Sequence, residues 1–190
     1  MARQSLREEI VDAALDQFHT HGFNAAGVKD ITDAAGAPKG SFYNHFESKE
    51  ALAVVALQRY GTTRRLDELG DTSVPALQRL REHFEFPRQE NETRGYTRGC
   101  LIGDFGAEIS DHSVAIRDAV RDSLANWAAA LAGAIADGQH EGTIRSGIDP
   151  KTTARFVLAA WEGTLISMRA ERSSVAFDDF FDVVFGSILA

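Results

Sequence analysis

Residues 35–52, AGAPKGSFYNHFESKEAL, gather cations and hydrogen-bond donors at helical spacing. Lys39 suits a phosphate or the acceptor edge of guanine, Tyr43 and His45 can donate to phosphate oxygens, and Ser41 and Asn44 can reach a base edge or the backbone of a duplex. Gly40 has no side chain, so a second backbone can approach closely. Lys49 stands beside a helix start, where free N–H groups would help its charge hold a neighbouring phosphate. The chemistry spelled out is recognition of a polyanion. Phe42 and Phe46 lie four apart, so one helical turn sends both rings to the face away from the polar set.

Positioning such a surface requires a small helical scaffold. Leu6, Ile10, Ala14 and Phe18, with Val11 and Leu15 beside them, repeat as one face of a first helix over residues 6–21. Ser5 and Glu8 have capping-box spacing at its start. Gly22 can turn left-handed past its end, and Phe23 can fold back on the last turn. A short second helix fits Val28–Ala35, with Val28, Ile31 and Ala35 inward, and Gly36 ends it. Pro38 suits the entry to a third helix from Lys39. Ser48 caps a fourth, with Glu50 in its first turn. The second and third helices, joined at Gly36, form a helix-turn-helix in which Phe42 and Phe46 anchor the reading element.

The chain has 190 residues, 44% of them hydrophobic and 25% charged, as in a soluble globular protein able to bury a core of its own. No apolar run is long enough to span a membrane. Acidic residues interrupt the N-terminal MARQSLREEIVDAAL, so export is not expected and a cytoplasmic location is. The single cysteine, Cys100, excludes an internal disulfide framework and a cysteine-rich zinc site. The net charge of −8 is unevenly spread: residues 1–65 hold eight basic and eight acidic residues, leaving 12 basic against 20 acidic beyond them. Only the front of the chain can approach a polyanion.

Farther along, helices are expected at Pro75–Phe86, Cys100–Ile109, Ser113–Asp137, from Pro150 to Ala170, and Val175–Leu189, with a polar loop over 87–99. The chain reads as all-α with about nine helices and no internal repeat. The last two helices are too apolar for one partner each. Phe156, Ala160 and Thr164 on one, and Phe177, Phe181, Val184 and Ile188 on the other, are expected to pair with a second copy in a four-helix bundle of two-fold symmetry.

The segment GVKDITDAAGAPKGSFYNHFESKEAL closely resembles the DNA-binding segment of the TetR family of transcriptional regulators, over roughly residues 6–60. The resemblance implies an N-terminal domain, here residues 1–48, that reads a double-stranded DNA operator. A helical domain over 49–190 would bind a small-molecule effector and dimerise. The family's DNA-contacting positions carry over to Lys29, Pro38, Lys39, Gly40, Ser41, Tyr43, Asn44, His45 and Lys49. A two-fold dimer would set two reading elements about 34 Å apart, on successive major grooves. Phe84, Cys100, Phe105, Trp127, Trp161 and Met168 are the candidate lining of an effector pocket. The stretch TRGCLIGDFGAEISD resembles a G-C-L subset of the family, some of whose members respond to electrophiles through that cysteine. Arg94 and Arg98 would lower its thiol pKa, while Asp104 and Glu108 would raise it.

Two other classes compete with this reading: a thiol-dependent enzyme built on Cys100, and a helical protein-interaction adaptor. Enzyme-like patterns are nonetheless incomplete. Asp104–Phe105–Gly106 lacks the glycine-rich loop and catalytic loop of a kinase. Cys100 and His112 lack a third orienting group. His19 and His21 have no carboxylate or thiol to complete a metal site and are expected to face solvent. No catalytic residue, metal or cofactor is assigned, and no membrane partner is expected.

Overall fold

The computed structural model describes residues 5–190, and every regular element among them is helical: α1 (Leu6–Ala25), α2 (Val28–Ala34), α3 (Lys49–Thr62), α4 (Ala76–Thr93), α5 (Leu101–Glu108), α6 (Val114–Glu141), α7 (Pro150–Glu171) and α8 (Val175–Val183). Short 3-10 segments cover Lys39–Asn44 and Leu66–Gly70, and α8 widens into a π turn over Val184–Ile188. The all-α reading holds. The third helix expected from Lys39 is instead a 3-10 segment, and the loop expected over 87–99 is helical as far as Thr93.

Two compact units are present, Met1–Thr63 with Cys100–Ser123, and Arg64–Gly99 with Leu124–Ala190. A cut after residue 48 does not follow this division, because α3 packs along α1 in the first unit and α5 joins them there.

In the first unit, Ile10, Val11, Ala14 and Phe18 of α1 are buried with Leu52, Ala53, Ala56 and Leu57 of α3. The valine, leucine, isoleucine and phenylalanine side chains among them contribute roughly 1.5–3 kcal/mol each on burial. Ser5 caps α1 by accepting from the Glu8 N–H at 3.4 Å. The Glu8 carboxylate pairs with Arg59 of α3. Gly22 interrupts the α1 ladder at φ 79°, ψ 175°, conformations open essentially to glycine alone, and three residues beyond it resume the helix. Phe23 then stacks back on Phe18 at 5.8 Å, as the glycine stop predicts. Phe105 of α5 meets both rings edge-on, at 5.4 and 5.9 Å.

In the second unit Trp161 of α7 is the centre of an aromatic cluster, with ring centroids 5.0 Å from Phe84 of α4, 5.0 Å from Phe180 and 5.5 Å from Phe177 of α8. Pro87 sits inside α4 without breaking it. Local pairs hold the polar end in register: Asn91 Nδ2 donates to the Pro87 carbonyl at 2.9 Å, and Arg88 bonds Glu92 at 2.9 Å and Asp178 of α8 at 2.8 Å. Asp149 caps α7 by accepting from the Thr152 N–H at 2.8 Å, with Pro150 as the first helical residue.

Candidate nucleic-acid interface

α2 presents Ile31 and Thr32 to the core, and the Thr32 hydroxyl donates to the Val28 and Lys29 carbonyls, both at 3.0 Å. Val28 and Ala35, expected inward, are only half-buried. Gly36 turns the chain at φ 64°, and the Ala37 N–H returns to the Thr32 carbonyl at 2.8 Å. From Pro38 the backbone closes tight turns, Ser41 N–H to Pro38 carbonyl at 2.8 Å and His45 N–H to Phe42 carbonyl at 2.9 Å. The tighter winding still lets Phe42 and Phe46 share one site, 5.7 Å apart and 0% and 4% exposed. Between them Tyr43 is 63% exposed, resting edge-on against Phe42 at 5.1 Å.

Pro38, Lys39, Gly40, Asn44 and His45 are exposed on the same short segment as Tyr43, and Ser41 is half-buried. The Ser41 hydroxyl donates to the Pro38 carbonyl at 2.6 Å, so it holds the turn. Lys29 is exposed on α2 and ion-paired with Asp33, whose carboxylate raises the ammonium above its ordinary pKa. A phosphate at Lys29 must displace that carboxylate.

Lys49 opens α3, the helix start expected beside it, but its side chain turns to the end of α1. Its ammonium donates to the Phe23 carbonyl at 2.9 Å and the Ala26 carbonyl at 3.3 Å, and lies 4.2 Å above the Phe23 ring. It closes the end of α1, and a phosphate would have to compete with two carbonyls for it. From the other side of this turn, the Glu108 carboxylate accepts from the N–H groups of Phe23 at 2.8 Å and Asn24 at 2.7 Å. Sequence reasoning missed this use of Glu108, because its partners stand 85 and 84 residues away. The only local hint is Gly22, which frees those N–H groups.

The six candidate pocket residues are all buried, two of them in the first unit and four in the second. Phe105 belongs to the α1–α5 core, and Cys100, 3% exposed, precedes α5. Phe84, Trp127, Trp161 and Met168 are core residues of the second unit. There the Trp127 indole N–H donates to His83 Nε2 at 2.7 Å, and burial, with a smaller contribution from the Arg64 charge, pushes the His83 pKa down from 6.5 to about 4. The Trp161 indole N–H is buried with no acceptor among the described residues. An open groove of about 670 Å³ lies elsewhere in this unit, floored by Ala125, Ala129 and Ala132 and rimmed by Lys151 and Arg155.

The expected pairing face also changes. Phe177, Phe181 and Val184 point into their own chain, at 0%, 6% and 2% exposure; Phe177 lies against Trp161, and Arg81 and Arg88 of α4 cover the Phe181 ring. Phe156 is exposed, while Ala160, Thr164 and Ile188 are half-buried. The apolar surface left open consists of Phe156 and Ile166 on α7 with Val175 and Val183 on α8, more than half exposed each.

His19, expected in solvent, is buried against Tyr60, the rings 5.5 Å apart, because α3 covers the last turns of α1. Among the described residues no cluster of three or more His, Cys, Asp or Glu could hold a metal ion, and no helix is long and apolar enough to cross a membrane.

Comparison with known proteins bears directly on this geometry. Residues 10–56 match the family described as bacterial regulatory proteins, tetR family, and residues 76–184 match the tetracyclin repressor-like C-terminal domain. The chain is 36% identical over 192 residues to the HTH-type transcriptional repressor DhaR of Mycobacterium sp. (strain GP1), covering 100% of this chain and 95% of that protein. It is 28% identical to the HTH-type transcriptional repressor NemR of Escherichia coli K12, over 88% of this chain and 85% of the relative. Among solved structures, a regulatory protein TetR from Rhodobacter sphaeroides superposes with a TM-score of 0.89 at 28% identity, covering 98% of this chain and 100% of that one.

Proposed function

The chain belongs to the TetR family of transcriptional regulators, and from that membership we propose that it is a homodimeric, cytoplasmic repressor released from its operator by a small molecule. The observation that carries the DNA-reading role is Tyr43, open to solvent between two buried phenylalanines, with Lys39, Gly40, Asn44 and His45 exposed beside it. A side chain of that size left uncovered on a rigidly anchored turn suits contact with a duplex. Lys29 joins it once Asp33 yields to phosphate. The reading head is residues 1–48 steadied by α3, and the rest of the chain binds the effector and dimerises.

The sign of regulation follows the full-length likeness to DhaR, a protein named as a repressor. Pairing through Phe156, Ile166, Val175 and Val183, with Ala160, Thr164 and Ile188 at the margin, would cover the apolar surface of α7 and α8 and place two heads on one side of the duplex. An effector lodged near Phe84, Trp127, Trp161 and Met168 would bury its apolar body among rings, and an oxygen on it would satisfy the Trp161 N–H. Binding rather than turnover is the activity.

The test is a mobility shift on DNA upstream of the protein's own gene, at rising salt, alongside a scrambled duplex. Selective binding with a steep salt dependence is expected. Equal affinity for both duplexes would refute the operator-reading role and leave the adaptor as the better account.

A further inference from the structure

We propose that Glu108 is a positioning residue for DNA recognition, gripping the Phe23 and Asn24 N–H groups of α1 from α5 while Lys49 grips the carbonyl of the Phe23–Asn24 peptide from α3. The inference rests on the DNA-reading role proposed above. Gly22 breaks the α1 ladder, so the N–H groups of Phe23 and Asn24 begin a new turn with no carbonyl behind them. The Glu108 carboxylate takes both, at 2.8 and 2.7 Å, as a capping side chain would, though it arrives from the end of α5. A Cβ on residue 22 would lie 2.7 Å from Glu108 Oε2, so a side chain there would push the carboxylate off these N–H groups, on a backbone whose φ of 79° already favours glycine.

The carbonyl of Phe23 is held from the other side by Lys49 at 2.9 Å, and its ring packs against Phe105 of α5 and under the Lys49 ammonium. Lys49 is the first residue of α3, and the reading segment ends at Asn44, only a short link before it. A carboxylate, a single peptide and an ammonium therefore join α5 to the foot of the reading segment. These are directional, charge-assisted bonds at both ends, unlike the apolar contacts around them. A change in the seat of α5 reaches Tyr43 and Lys39 through this clamp, and by linkage a bound operator tightens the clamp in return.

Glu108→Gln keeps the size and one acceptor but sets an amide N–H against a backbone N–H. The probe is a duplex enriched by the wild-type protein from a randomised library, with an unrelated duplex of equal length as control. At a temperature where circular dichroism shows each variant fully folded, Glu108→Gln should lose at least fivefold in affinity for the selected duplex and less than twofold for the control. Lys49→Met should likewise weaken binding to the selected duplex, and the double variant should be no weaker on it than the worse single, since both act through the Phe23–Asn24 peptide. A folded Glu108→Gln that binds the selected duplex as tightly as wild type overturns the proposal. If that variant fails to fold, amide exchange in the wild type decides: the Phe23 and Asn24 amides should exchange at least tenfold more slowly with the selected duplex bound, and unchanged exchange overturns it. If the wild type enriches no sequence at all, the DNA-reading role itself fails, and this inference with it.

Discussion

Replacing His83 with glutamine should remove a defined block of the protein's pH dependence. Trp127 donates its indole N–H to His83 Nε2 at 2.7 Å, so that nitrogen carries no proton and the neutral ring keeps its own on Nδ1. Burial holds the ring neutral down to about pH 4, whereas the unfolded chain protonates near 6.5. Between those values unfolding takes up a proton, and stability rises with pH wherever the unfolded state binds more protons. The contribution is therefore zero above pH 6.5, and stability falls as the pH drops from 6.5 towards 4. The whole step is worth about 3 kcal/mol, of which about 2 kcal/mol is lost by pH 5. Glutamine can accept from Trp127 through its side-chain oxygen and does not titrate. Urea unfolding followed by tryptophan fluorescence at pH 7.5 and pH 5 should show the wild type losing about 2 kcal/mol more than His83→Gln over that interval. Equal losses in the two proteins would refute the burial argument and place His83 in contact with water.

Other outcomes follow from single features of the structure. Lys39→Ala should weaken binding to every duplex alike and lower the salt slope by about one, while Tyr43→Ala should weaken operator binding; because both residues are exposed, their unfolding free energies should stay within about 0.5 kcal/mol of wild type by urea titration. Gly22→Ala forces a side chain onto a backbone at φ 79° and into the Glu108 carboxylate, so it should cost about 1–3 kcal/mol in the same assay, and an unchanged midpoint would show that the break in α1 is not required. Ile166, 70% exposed on α7, should tolerate aspartate in the isolated fold, yet Ile166→Asp should reduce the mass measured by light scattering to that of one chain; an unaltered dimer would move the pairing face elsewhere.

Much of the reading head was legible because its signals are local. Gly36 and its positive φ, Pro38, the four-residue step from Phe42 to Phe46, and the cap at Ser48 all act within about one helical turn, the range over which residue type and spacing settle conformation. Sequence misjudged the elements whose conformation is set by distant partners. The polar run after Phe86 reads as a loop, yet Pro87 and Asn91 are buried and Arg88 reaches α8, which keeps α4 helical to Thr93. Phe177, Phe181 and Val184 have the spacing of a pairing stripe, but spacing cannot say whether the neighbour is a second copy or Trp161 of the same chain.

By itself, then, the amino-acid order determined the helical class, the turn between α2 and the reading segment, and which side chains on that segment face away from its phenylalanine anchors, since each depends on neighbours a few residues apart. Tertiary structure alone decided that Lys49 closes α1, that Glu108 caps its broken turn, and that the apolar surface left open extends from Phe156 to Ile166, Val175 and Val183. Those assignments turn on distances between residues far apart in the chain, which no periodicity encodes.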